Sequence, residues 1–262
     1  MATGVSLVGM SKATDTERTG SFRPTGAPDL ALDQSARSMM EPIDQLRELL
    51  SREIDGRPFT ELSGVTFDHQ GAELAGHVLL DTLEDAGYSV DDYAAVGALT
   101  AAAVPLADAM LHAAASRGQA LNAFVMDFVY PSIKGPSIEG KRVILLDAWL
   151  SQKSYVQTSS LVTLRKGNEL SLDCSIIRRQ GAEPLAIASL VGGLGPEVAN
   201  GDGMAPADPK RGLGESDGGV AGQGVGLPTI QVVDAVDDSR TSLPFICAFN
   251  EDQFNPGKDQ ER

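Results

Sequence analysis

The four apolar residues from Val143 to Leu146 are followed directly by Asp147, and this segment constrains the fold more than any other part of the chain. An uninterrupted apolar run of this length is typical of a strand that is buried on both faces of a sheet. Other short apolar segments alternate with helical patterns, which predicts an α/β fold with a twisted, mainly parallel sheet and helices on both faces. Because such sheets bind ligands at the carboxyl ends of their strands, the residues that follow each strand are the candidates for function.

The spacing of the apolar residues predicts the individual elements. The predicted helices cover about 41–53, 105–116 and 155–166. A further predicted helix begins after its cap, Asp68, and ends at Gly87. The predicted strands or extended segments cover 59–67, 93–99, 120–128, 143–146, 170–177, 230–233 and 244–249.

Composition divides the chain into one domain with two flanking segments and an insertion. Residues 1–38 are rich in Ser, Thr, Gly and Asp and are predicted to be a disordered leader. A single domain is predicted over 39–254, with a Gly-rich insertion at 195–226 that is too long for an ordinary connection. The charged residues 255–262 are predicted to be a flexible tail.

The charge balance excludes several classes of partner. The chain has 36 acidic and 21 basic residues, a net charge of −15, which argues against nucleic acids and anionic membranes as partners. It has no apolar stretch of about 18 residues that would span a membrane. The polar N-terminus lacks the order of a secretory signal, so a cytoplasmic location is expected. Two cysteines, Cys174 and Cys247, are too few for a metal cluster or a disulfide framework.

Several segments together resemble one known family. Ala95 to Thr100, followed by Val104 to Ala107, is similar to the strand and pyrophosphate-binding loop of the orotate phosphoribosyltransferases. Val143 to Asp147 resembles the strand before that family's phosphate-binding turn. Ile176 to Arg179 resembles the strand end that carries an Arg for the orotate carboxylate, and Phe59 to Leu62 resembles the entry into the hood.

The resemblance covers roughly residues 42 to 190 and implies a type I phosphoribosyltransferase fold with a small N-terminal hood. It implies a site for phosphoribosyl pyrophosphate, with Mg²⁺ if the protein is active. The positions that match this site are Thr100, Asp147, Ser151, Gln152, Lys153 and Ser154. Glu61 and Arg179 match positions that bind the base in this family. The family is typically dimeric, which implies a homodimer or a heterodimer with an active paralogue.

The chain departs from the family's motifs at four positions. Ala148 stands where the family has the second of two adjacent carboxylates. Lys153 replaces a glycine of the phosphate-binding turn, and Ala101 to Ala103 replace glycines of the pyrophosphate loop. Asp127 replaces the basic start of the mobile loop, whose second part is matched by Lys134. These losses predict a catalytically degenerate relative that binds a nucleotide or phosphoribosyl-type ligand, or that pairs with an active paralogue. The alternative is an active phosphoribosyltransferase with a changed donor or acceptor.

Some of the same residues have simpler interpretations. Asp147 can hold a ribose hydroxyl or serve only as a strand-end cap. Arg178 and Arg179 can hold an anion or be solvated. Trp149, the sole tryptophan, can stack on a base or fill the former ribose pocket, and the bulk of the indole favours filling. The three histidines have no second ligand at metal spacing, so surface or packing roles are expected for them.

Overall fold

The computed structural model describes residues 39–55, 57, 61–127, 132–151, 162–164, 169–172, 175–193, 227–234 and 236–254. The predictions of a disordered leader at 1–38, a Gly-rich insertion at 195–226 and a flexible tail at 255–262 lie outside the described residues.

The described chain forms five α-helices, nine strands and two short 3₁₀ turns. The helices are α1 (Pro42–Ile54), α2 (Ser63–Thr66), α3 (His69–Asp85), α4 (Val104–Ser116) and α5 (Ser175–Arg179), and the 3₁₀ turns are Ala101–Ala103 and Glu251–Gln253. The strands are β1 (Ala95–Ala98), β2 (Asn122–Met126), β3 (Ile133–Lys134), β4 (Arg142–Ser151), β5 (Val162–Leu164), β6 (Glu169–Leu172), β7 (Glu183–Gly193), β8 (Thr229–Asp234) and β9 (Arg240–Asn250).

The strands form one sheet in the order β3-β2-β1-β4-β7-β9-β8-β6-β5. Of its eight pairings, five are parallel and three are antiparallel. The predicted α/β fold with a mainly parallel sheet is therefore confirmed. Strand β4 lies between β1 and β7, and Val143 to Leu146 are fully buried, as the apolar run predicts.

The two faces of the sheet are covered unequally. The long helices α1, α3 and α4 pack on one face in a single apolar cluster. The short helix α5 packs on the other face with side chains of β4, β7, β8 and β9. On that face Phe124 lies directly over Gly97, where an added Cβ would overlap the phenyl ring. No helix in the described part of the chain is both long and apolar enough to span a membrane.

The ends of α3 follow the local sequence. The Asp68 carboxylate accepts hydrogen bonds from the backbone N–H groups of Gln70 and Gly71 at 3.0 and 2.9 Å, which confirms the predicted N-terminal cap. After α3 the backbone of Gly87 has a φ of +92°, a conformation that glycine adopts without strain. The helix therefore ends where the glycine predicts.

Two segments have a different structure from the prediction. In the predicted strand 59–67, residues 63–66 form α2, and 59–60 lie outside the described residues. Val65 is buried here against Gly71, so packing on α3 overrides the β propensity of the segment. In the predicted helix 155–166, residues 162–164 form β5, which pairs with β6, and the rest lies outside the described residues.

The predicted strand 170–177 is correct only over its first part. Strand β6 ends at Leu172, and Ile176 and Ile177 belong to α5, where both side chains are buried. The following strand β7 was not predicted, because Pro, Ala and Gly dilute its apolar pattern and have low strand propensity. Its parallel pairing with both β4 and β9 nevertheless places it at the centre of the sheet.

Candidate functional site

The candidate site lies where β1 and β2 end, level with Asp147 and Ser189 inside the longer parallel strands β4 and β7. Ala98 of β1 is in register with Val125 of β2 and with Leu146 of β4. Asp147 in turn is in register with Ser189 of β7. The side chains that follow these positions therefore share one edge of the sheet, here called the carboxyl edge, where α/β sheets bind ligands.

Asp147 is the best-defined polar group of the carboxyl edge. Its Oδ1 accepts a hydrogen bond from the Thr100 hydroxyl at 2.9 Å and another from the Ala148 backbone N–H at 2.7 Å. The Asp147 side chain is buried and Thr100 is fully buried, so the pair is fixed within the sheet. The structure thus brings together two predicted site residues, and Oδ2 is the oxygen left to contact a ligand.

The environment of Asp147 favours its protonated form. Burial raises the pKa of this carboxyl from its ordinary value of 3.8 to about 6, although the hydrogen bonds from Thr100 and Ala148 lower it. The negative charge of Glu61 raises the pKa further, which places this predicted base-binding residue near Asp147. A carboxyl group with such a pKa is typical of functional sites, where ligands compensate the unfavourable charge.

The described residues do not fit a resident Mg²⁺ ion. Proteins hold Mg²⁺ with one or two carboxylates together with substrate phosphates and water. Asp147 has one oxygen already bound to two donors, and Ala148 supplies no second carboxylate beside it. Within the described ranges, no group of three or more His, Cys, Asp or Glu side chains could hold a metal ion.

Trp149 is part of the packed interior. Its side chain is only 5% exposed and packs in the cluster of α1, α3 and α4. Its indole Nε1 donates a hydrogen bond at 3.3 Å to Glu251, whose carboxylate is buried against the last residue of β7, Gly193. Burial of the indole leaves no ring face open for stacking on a base, so the structure favours the filling role.

The predicted phosphate-binding turn is described only at its first residue. Ser151 is the last residue of β4, lies in register with Gly193 and is buried. Strand β4 thus continues past Asp147 as a regular ladder with β7. The predicted site residues Gln152, Lys153 and Ser154 lie outside the described residues.

A charged pair occupies the carboxyl end of β2. The Lys134 ammonium lies 2.9 Å from Asp127 Oδ2, and the Asp127 side chain is 6% exposed whereas Lys134 is 67% exposed. The Ser132 hydroxyl donates to the same oxygen at 3.4 Å. The lysine that matches the family's mobile loop is therefore paired with the aspartate that replaces the basic start of that loop.

Arg179 does not lie with Asp147, contrary to the expectation that it addresses a base at the same site. It belongs to α5, and the chain continues from α5 into the amino end of β7, where Glu183 is in register with Arg142. Asp147 is about five residues further along β4, roughly 16 Å away from that end. The neighbouring Arg178 instead pairs with Asp234 and Asp237, near the turn between β8 and β9.

Glu251 is a residue of the carboxyl edge that sequence reasoning missed. It directly follows β9, so the rule that selects residues after strands applies to it as well. Its burial against Trp149 depends on contacts between segments that are distant in sequence, and no local pattern indicates them.

The chain is similar to curated orotate phosphoribosyltransferases, although no family model matches it. It is 32% identical to the enzyme of Streptomyces coelicolor over 164 residues, which cover 59% of this chain and 80% of the relative. It is 33% identical to the enzyme of Streptomyces avermitilis over 148 residues, which cover 54% of this chain and 71% of the relative.

Solved structures with the same description are also similar. Orotate phosphoribosyltransferase of Mycobacterium tuberculosis in complex with inorganic phosphate matches with a TM-score of 0.42 and 22% identity, over 62% of this chain and 83% of that one. The complex of that enzyme with phosphoribosyl pyrophosphate matches with a TM-score of 0.41 and 23% identity over the same shares. Sequence identity above 30% over most of two curated relatives confirms the predicted resemblance, and this chain belongs to the orotate phosphoribosyltransferase family.

Proposed function

We propose that this protein binds a nucleotide or phosphoribosyl-type ligand at the carboxyl edge and does not transfer the phosphoribosyl group efficiently. The proposal depends on the side chains that β4 presents at Asp147 and at the two residues after it. Thr100 orients this carboxylate, whereas the next residue, Ala148, supplies no second acceptor and Trp149 is buried in the core. One half of a ribose-binding carboxylate pair is therefore retained, and the other half is lost.

The retained half is suited to a ribose hydroxyl group. Because Oδ1 of Asp147 is held by two donors, the direction of Oδ2 is fixed before a ligand arrives. A ligand hydroxyl that donates to Oδ2 stabilises the ionised carboxylate, which burial otherwise disfavours. Such a hydrogen bond to a charged acceptor contributes about 1.5–3 kcal/mol.

Transfer requires more than this interaction. The departing pyrophosphate accumulates negative charge, and enzymes stabilise such charge with positioned cations and N–H donors. The described part of the carboxyl edge carries five acidic side chains, Glu61, Asp127, Asp147, Glu251 and Asp252. The cation identified there among the described residues is Lys134, and it is paired with Asp127.

The binding part of the proposal is tested by calorimetric titration with orotidine 5′-monophosphate at pH 8, where Asp147 is ionised. Wild-type protein is expected to bind, and Asp147→Asn is expected to bind at least about tenfold more weakly, because a charged hydrogen bond is lost. The matched control is Asp91→Asn, which changes an exposed aspartate before β1, at the other end of the strands. Absence of wild-type binding, or an equal loss in both variants, would contradict the proposal.

A groove beside this site supports pairing with a second copy of the chain. The groove has a volume of about 860 Å³ and lies between α3 and α4, next to the 3₁₀ turn that follows Thr100. Phe67 lies at its rim and is 76% exposed. Each wall carries one acid and one histidine: Glu73 and His77 on α3, Asp108 and His112 on α4. A twofold contact can place the Phe67 ring of each copy in the groove of the other.

Replacement of Phe67 tests this pairing. Wild-type protein is expected to sediment as a dimer at micromolar concentration, and Phe67→Ser as a monomer, because the substitution removes the exposed ring that enters the groove. Since the ring is exposed, the melting temperature measured at high dilution should not fall. A wild-type monomer, or a dimer that is unaffected by Phe67→Ser, would show that this groove does not pair two copies.

A further inference from the structure

Backbone contacts between β2 and β3 position the pair between Asp127 and Lys134. Strand β3 returns against β2 with Ile133 opposite Met126, and the Asp127 backbone N–H donates to the Ser132 carbonyl at 2.9 Å. Gly135, at a φ of +136°, lies so close to the Ala123 carbonyl oxygen that a Cβ would meet it at 2.8 Å. The pairing of β3 with β2 therefore fixes the backbone position of Lys134. Its ammonium group contacts the Asp127 carboxylate, which lies next to the site.

Asp127 and Lys134 differ in burial, and this difference determines which of the two is disfavoured when the ion pair breaks. Lys134 is mostly exposed, so its ammonium is solvated by water when it leaves the pair. Asp127 is almost fully buried and remains in place when the lysine leaves. An anion that attracts Lys134 therefore draws its ammonium away from a buried carboxylate, which is unfavourable.

We propose that Asp127 acts as an internal competitor for Lys134 and so excludes pyrophosphate-bearing ligands from the carboxyl edge. Asp127 is thereby a specificity-determining residue, which favours ligands with a single phosphate or none over those with a pyrophosphate group. The inference rests on the proposed function, because it concerns which ligands enter the same edge of the sheet. Asp127 opposes a pyrophosphate both by direct repulsion and by holding the cation that would neutralise it.

The test is calorimetric titration with inorganic pyrophosphate at low ionic strength, where charge effects are largest. Asp127→Asn retains the size of the side chain, removes the competing charge and is expected to bind pyrophosphate at least about tenfold more tightly than wild type. The double variant Asp127→Asn with Lys134→Gln is expected to lose this gain. Lys134→Gln alone is expected to bind pyrophosphate no more tightly than wild type, because the negative charge of Asp127 remains and loses its neutralising ammonium.

The matched control is Asp252→Asn, which removes an exposed negative charge after β9 at the same edge without releasing a cation. An equal gain in this control, no gain in Asp127→Asn, or a gain that persists in the double variant would overturn the inference. Tighter binding of pyrophosphate by Lys134→Gln alone would also overturn it, because that variant keeps the Asp127 charge and lacks the cation. If Asp127→Asn does not fold, Asp127→Ser replaces it in the same comparison. Because orotidine 5′-monophosphate has no pyrophosphate, its dependence on Asp147 decides the proposed function separately.

Discussion

Purified protein supplied with orotate, phosphoribosyl pyrophosphate and Mg²⁺ is expected to form orotidine 5′-monophosphate at least about 10³ times more slowly than the Streptomyces coelicolor relative in the same assay. Loss of one group that stabilises transition-state charge commonly lowers turnover by about 10²–10³. In this chain a second carboxylate is absent at Ala148, and the lysine near the site is paired with Asp127. The two losses act on different parts of the donor, the ribose and the leaving group, so their effects combine.

The assay follows orotidine 5′-monophosphate formation over hours, with the relative as the positive control and heat-denatured protein as the blank. A turnover of about 1 per second or more, within the common range for enzymes, would contradict the account. It would show instead that the protein is an active transferase in which other groups replace the missing ones.

Asp147→Asn is expected to stabilise the protein at neutral pH. The carboxyl has a pKa of about 6 in the folded protein and an ordinary value of 3.8, so the folded state binds more protons between these values. The free energy of unfolding of wild type therefore falls as pH rises from about 4 to 6 and remains lower above pH 6. A difference of about two pKa units corresponds to about 3 kcal/mol, which the neutral amide avoids. The amide oxygen still accepts from Thr100 and Ala148.

Urea unfolding of wild type and Asp147→Asn at pH 4 and pH 7.5 measures this effect. The variant should be more stable by about 1–3 kcal/mol at pH 7.5 and nearly equal to wild type at pH 4. The control is Asp127→Asn, the same change at another buried aspartate, which should destabilise the protein because Asp127 accepts from Lys134 and Ser132. No stabilisation of Asp147→Asn at pH 7.5 would show that burial of the Asp147 charge is not unfavourable, and stabilisation of both variants would show that the effect is not specific to Asp147.

The parts of the fold and site that follow from local sequence could be predicted. The apolar run before Asp147 indicates a central strand, and the rule that ligands lie beyond strand ends selects Thr100 and Asp147 together. Their contact across 47 positions of sequence follows from parallel pairing of β1 and β4. Asp68 was predicted as a cap because its side chain acts on the next few residues only.

The parts that depend on distant contacts could not be predicted. The sequence Ile176 to Arg179 suits a strand by propensity, yet it forms α5 because both isoleucines pack under the sheet. That difference also moves Arg179 to the amino end of the sheet. The bond from Trp149 to Glu251 spans 102 positions, and no periodicity in either segment indicates it.

The account is tested most directly by a competition titration of wild-type protein with orotidine 5′-monophosphate and phosphoribosyl pyrophosphate in the presence of Mg²⁺. Both ligands carry a ribose 5-phosphate, so they share the interaction with Asp147, but only one carries a pyrophosphate that meets Asp127 and its paired lysine. The account predicts that the nucleotide binds at least about tenfold more tightly. Tighter binding of phosphoribosyl pyrophosphate would contradict it, because a site that prefers the donor has kept the charge arrangement that transfer requires.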